Sequence, residues 1–202
     1  MLNYPILVCF HPLTYFEKIK REKKGSLIIA GLILFVWFLV SVFMRQNTNF
    51  RFNNNNLDNL NLYLIFFSTI GIFLIYSITN WAICTLLDGK GRFHEIVTSL
   101  SYSLIPYIVT SVFYIVLSHF VTLEEKIFID IILYIGILWT GVLIITAFIS
   151  IHEYSLKKTV SSIFLTIVGV LILLFIALLF YSLVQQGMLF IRTVFIEIIT
   201  RY

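Results

Sequence analysis

The sequence predicts an all-α membrane protein, with five transmembrane helices and short interfacial helices at both ends. Three observations lead there. Hydrophobic residues make up 60% of the 202 positions and charged ones only 12%, whereas soluble domains run at roughly one quarter charged. Mean hydropathy is +1.00. The apolar residues gather into five continuous runs, at 26–44, 60–87, 96–120, 127–150 and 160–185. Each is close to or beyond the ~20 helical residues that cross a hydrocarbon core ~30 Å thick. The alternating ten-residue segments of a membrane barrel are not the pattern.

The chain divides accordingly into a basic segment at 1–25, a membrane domain at 26–186 and a terminal segment at 187–202. In the first, Pro12 suits a helix start and Tyr15, Phe16 and Ile19 form an apolar strip. Glu17 with Arg21, and Lys18 with Glu22, stand at i,i+4. This helix is expected to lie on the cytoplasmic leaflet, its basic side toward anionic lipid. The apolar patch at Tyr4–Phe10 lacks the basic flank and cleavage site of a signal peptide, so the first run is expected to serve as the insertion signal. The polar loop at 45–59, with its asparagine run at 53–56, reads as an extracellular connection. In the terminal segment Ile191, Val194, Phe195, Ile198 and Tyr202 share one helical face, which predicts an external surface helix.

Charge gives the orientation. Nine of the 14 Lys and Arg residues fall before span one or in the loops after spans two and four, and five fall on the other side. The positive-inside rule then predicts a multi-pass protein of the cell (plasma) membrane with a cytoplasmic N-terminus and an extracytoplasmic C-terminus. Cys9 and Cys84 have no metal-type spacing and no expected disulfide.

Polar residues inside the runs carry the functional signal. Ser77, Asn80, Cys84 and Asp88 recur at 3, 4 and 4 positions along span two. Ser99, Tyr102, Ser103, Pro106 and Thr110 share a face of span three. Polar groups are costly against lipid, so both stripes are expected to turn inward, as a packing seam or as part of a solute path. Pro106 should kink span three. Asp130, near the outer end of span four, reads as a local pair or an entrance; His119 reads as interfacial.

Between spans two and three stands Asp88-Gly89-Lys90-Gly91-Arg92-Phe93-His94-Glu95. The Gly-Lys-Gly centre lacks the GxxxxGK[ST] spacing of a phosphate loop. Lipid phosphate held by Lys90 and Arg92, or a tight turn held by opposite charges, are the two readings. His94-Glu95 and His152-Glu153 place unlike side chains on different helical faces and form no HExxH, so no metal and no cofactor are expected. Pairing with Lys157 or Arg92 is the expectation for these helix-end groups. No nucleophile–base–oxyanion constellation emerges, which argues against an enzyme.

The arrangement resembles the Yip domain family, five-span proteins named for interacting with Ypt/Rab GTPases. The resemblance covers about residues 12–186. It rests on Asp88-Gly89-Lys90-Gly91-Arg92-Phe93, on Tyr102-Ser103-Leu104-Ile105-Pro106, and on His152-Glu153-Tyr154-Ser155 with Lys158. The basic segment His11-Pro12 to Lys24 is similar to that of bacterial members. Only about 25 residues precede the first span, so the long N-terminal domain of eukaryotic relatives, with its Asp-Leu-Pro-type motif, is not matched. The resemblance implies an α-helical membrane protein with a cytoplasmic N-terminus, and for the bacterial branch an association with ABC-type solute transporters.

The expected function is a non-enzymatic interaction protein, scaffold or accessory subunit, associated with a transporter or with membrane organisation. The alternative is a small-solute permease or channel with Asn80, Tyr102, Thr110 and Asp130 along its route. A lipid-binding role would use Lys90, Arg92, Lys157 and Lys158. The expected partners are membrane lipids and another membrane protein or a second copy; nucleic acid is not among them.

Overall fold

A computed structural model describes residues 4–53 and 60–200, and every regular element among them is helical. The chain runs through α1 (Tyr4–Phe10), α2 (Pro12–Glu22), α3 (Leu27–Asn47), α4 (Leu62–Phe66) and α5 (Ile72–Leu86). It continues through α6 (Phe93–Ser103), α7 (Ile105–Leu117), α8 (Lys126–His152) and α9 (Leu156–Thr200). One π-helical turn, Phe67–Gly71, joins α4 to α5. Five helical units are long and apolar enough to cross a membrane: α3, α4–α5, α6–α7, α8 and α9.

Local chemistry sets the ends. The Ser26 hydroxyl accepts the Ile29 N–H, and the Asn61 side chain accepts the Leu64 N–H at 3.1 Å, so spans one and two begin on N-caps. Pro106 has no N–H to extend the ladder. The helix tightens just before it, where the Leu104 N–H reaches back three residues to the Ser101 carbonyl at 3.2 Å, and span three divides into α6 and α7.

α8 is the central element, with α2, α6, α7 and α9 packed against it; α5 packs on α6 and α9. Close approach of α7 and α8 occurs at Gly136, where any Cβ would overlap the Thr110 side chain. The larger core lies toward the α2 end of the bundle and contains Phe16, Ile19, Ile96, Tyr102, Leu143, Phe148 and Ile151. A smaller one at the other end joins Phe52, Tyr114 and Ile129.

Two sequence expectations change here. The strip of α2 does not look out to lipid: Phe16 is 0% and Ile19 2% exposed, packed against the bundle. Burying each is worth about 1.5–3 kcal/mol relative to exposure in water. The amphipathic strip that suits a lipid surface suits the end of a helical bundle equally well. At the other end, 187–200 is no separate helix. α9 continues through Gly187 without interruption for 45 residues, about 68 Å of helix. A lone glycine costs only about 1 kcal/mol in a helix, and no proline stands near it to stop the run. Residues 54–59, with most of the asparagine run, and Tyr202 lie outside the described residues.

Candidate functional site

The α2 end of the bundle brings together the two turns that the sequence singled out. The first begins at Asp88, which takes the left-handed conformation (φ 60°) that ends α5, and the Gly89 N–H caps the Cys84 carbonyl at 2.7 Å. No described glycine has positive φ. Gly89 and Gly91 serve close approach instead. A Cβ on Gly89 would stand 2.6 Å from the Tyr154 hydroxyl and 2.7 Å from Nδ1 of His152; one on Gly91 would stand 2.7 Å from Cε1 of His152. The turn therefore lies directly on the second motif, His152-Glu153-Tyr154.

That motif ends α8. Glu153 is left-handed (φ 57°), and the Tyr154 N–H returns to the Ile149 carbonyl at 3.2 Å. The Tyr154 hydroxyl stands 3.0 Å from both the Cys84 and Leu87 carbonyls, binding the end of α5 to the end of α8. Burial pushes its pKa up to about 12. The Lys158 ammonium sits 4.5 Å from the centre of its ring.

His152 is 1% exposed, stacked on Tyr154 and edge-on to Phe148. Its Nε2 meets Oδ1 of Asn80 at 3.3 Å; Nδ2 of Asn80 donates to the Thr166 hydroxyl at 3.1 Å; and Thr166 donates to the Ser162 carbonyl at 2.7 Å. The chain of donors fixes the protons. Thr166 has one hydrogen, spent on Ser162, so its oxygen accepts from the Asn80 amide. That turns Oδ1 of Asn80 to His152 and places the imidazole proton on Nε2. Nδ1, under the glycine turn, is left as a buried acceptor without a partner.

A layer of charges closes this end. Lys20 of α2 pairs with Glu95 of α6 at 3.2 Å, with side chains 15% and 5% exposed, and also donates to the Lys90 carbonyl. Glu95 accepts the Arg92 N–H at 3.0 Å, which starts α6. Lys90 pairs with Glu153 at 2.6 Å on the surface. The hydrogen bond and positive charge of this ammonium hold the Glu153 carboxyl below its usual range. Tyr102 completes the closure, its hydroxyl accepting the Ser26 N–H at 3.3 Å where α3 begins.

Of the residues singled out in sequence, Asp88, Gly89, Lys90, Arg92, Glu95, His152 and Glu153 thus belong to one assembly. Glu153 takes Lys90, not Lys157, and Glu95 takes Lys20 with the Arg92 backbone. Phe93 lies edge-on to Trp81, and His94 stands exposed 3.9 Å from Glu95. The intramembrane stripes behave differently. Ser77, Ser99, Ser103 and Thr110 give their hydroxyl hydrogens to carbonyls one turn back in their own helices. Asn80 reaches across to α8 and α9, and Tyr102 to the start of α3. Sequence reasoning missed Lys20, Ser26 and the stripe Thr159, Ser162 and Thr166, all three 0% exposed. Their spacing of three and four is the signal that identified the stripe in span two.

Taken together, these features define a multi-pass helical membrane protein whose spans are locked at one end by a polar cluster and two ion pairs. The Yip1 domain matches residues 6–179, most of the sequence, and the chain belongs to the Yip1 family. No curated protein and no solved structure matches it.

Proposed function

We propose that this Yip1-family chain is a non-enzymatic interaction protein of the plasma membrane, a scaffold or accessory subunit for another membrane protein or a second copy. Its N-terminus and locked end face the cytoplasm in this reading, as the Lys and Arg distribution favours. The observation that carries it is the contrast between a fastened centre and open flanks. Only 6% of the most apolar stretch of α3, and 6% of that of α9, is buried. Both spans thus keep an open apolar flank, with Phe35 and Phe175 on it, for neighbours in the membrane. Of the hydroxyls that a solute route would need, Thr110 is engaged within its own helix and Tyr102 with the start of α3, which favours a packing role for them.

The test is photo-crosslinking from Phe35 in α3 and Phe175 in α9, both more than half exposed, followed by purification in mild detergent. A stoichiometric partner or a dimer is expected. A lone monomer from both positions overturns the reading.

A further inference from the structure

Beside the locked end, between α2 and the end of α8, lies a recess of about 520 Å³. That volume falls within the ~300–1,000 Å³ typical of small-molecule sites. Its wall carries two cations, Lys20 and Arg21, and two carboxylates, Glu17 and Glu153, with Leu13 and Ile149 as apolar lining. The balance of charge matters more than its amount. A purely anionic ligand would meet two carboxylates and a purely cationic one two cations, so the matching ligand carries both signs.

Each charged group is paired yet keeps hydrogen-bonding capacity. Lys20 has three N–H donors and uses two, on Glu95 and the Lys90 carbonyl. Arg21 meets Glu17 through one nitrogen at 2.9 Å, and Lys90 occupies one oxygen of Glu153. The last turns of α2 and α8 both reach the recess. The C-terminal carbonyls of α8 favour an ammonium beside Glu153. The recess also sits at the end of α8, a helix long and apolar enough to span, and the end of such a helix suits the level at which headgroups meet acyl chains.

We infer that this recess binds the zwitterionic headgroup of an aminophospholipid, its phosphate on Lys20 and Arg21 and its primary ammonium on Glu17 and Glu153, with acyl carbons against Leu13 and Ile149. Choline has no N–H to give the carboxylates, and phosphatidylglycerol has no cation. The site discriminates against both. It is independent of any protein partner.

The experiment reconstitutes the full chain in nanodiscs of phosphatidylcholine containing equal small fractions of phosphatidylethanolamine and phosphatidylglycerol. Lipid retained after detergent extraction is counted by native mass spectrometry. Phosphatidylethanolamine should be enriched at least fivefold over its bulk ratio to either competitor. Glu17→Gln with Glu153→Gln should abolish that preference and raise phosphatidylglycerol retention, whereas Glu22→Gln, outside the recess, should change nothing. Leu13→Trp, which fills the recess and leaves its charges in place, should lower retention of phosphatidylethanolamine to that of bulk lipid in a chain with wild-type melting. Retention at bulk ratios by the wild type, or a preference that survives both recess variants, overturns the inference. Release of the lipid by millimolar soluble phosphoethanolamine would assign the recess to a soluble zwitterion and overturn the lipid assignment.

Discussion

Asn80 and His152, 72 positions apart in sequence, meet at 3.3 Å, and their contact ends a line of donors that runs through three spans. Each has almost no exposed surface, so neither can replace the other with water. Interhelical hydrogen bonds in membranes average about 0.6 kcal/mol and reach about 1.7. A double-mutant cycle with Asn80→Leu and His152→Phe, read by reversible unfolding in detergent, should give a coupling energy in that range. Purely additive losses would show that the contact carries no energy. Thr166→Val should also cost stability, because it leaves the Asn80 amide without an acceptor.

The turn over His152 separates two roles that glycine can play. Gly91→Ala places a methyl against the imidazole ring and should destabilise the protein by about 1–3 kcal/mol, the range of overpacking. Asp88→Gly should be neutral or stabilising, since the left-handed backbone occurs at Asp88 and glycine adopts it without strain. Thermal melts of the two variants in one detergent test the pair. The opposite ranking would mean that the glycines serve backbone conformation.

Helices α7 and α8 depend on one small residue. Gly136→Ala forces its methyl into the Thr110 side chain, and a loss of about 1–3 kcal/mol is expected. Gly141→Ala, on the same helix with open space around it, should gain up to about 1 kcal/mol from helix propensity. Melting of the two single variants checks the contrast.

The two ion pairs should respond differently to mutation and to acid. Lys20→Met leaves Glu95 buried without its cation, a change that costs about 3–5 kcal/mol where such pairs are desolvated. Lys90→Met exposes Glu153 to water and should cost far less. Glu153 has its folded pKa depressed by Lys90, from an ordinary value of 4.5. Its contribution is therefore fully present above the unfolded pKa and disappears as pH falls through the folded one. The melting difference between wild type and Lys90→Met should be constant from pH 7 to 6 and shrink to zero well below 4.5. A difference that grows on acidification would contradict the pairing.

Most of the spanning architecture was legible in the sequence because a bilayer demands long apolar runs. The run at 127–150 became α8, Lys126–His152, and that at 26–44 became α3, Leu27–Asn47. Which polar stripe meets which was not legible. Helical spacing shows that Asn80 and Ser77 share a face, but every helix has the same period, and only packing turned Asn80 toward His152 and Thr166. The motif 88–95 was conspicuous for its glycines, yet their use became clear only with Tyr154 and His152 beneath them. Lys20 looked like one of five cations in a basic segment; its pairing with Glu95 depends on α2 folding back onto the bundle.

The five-span layout with the locked end in the cytoplasm is tested most directly by cysteine labelling in intact cells, in a Cys9→Ser, Cys84→Ser background. Lys90→Cys lies in the turn after α5 and Lys157→Cys in the first turn of α9, both at the α2 end, and Leu123→Cys lies in the loop between α7 and α8. A membrane-impermeant maleimide should label Leu123→Cys in whole cells and reach the other two only after permeabilisation. Equal labelling of all three from outside, or labelling of Lys90→Cys and Lys157→Cys in place of Leu123→Cys, would contradict it.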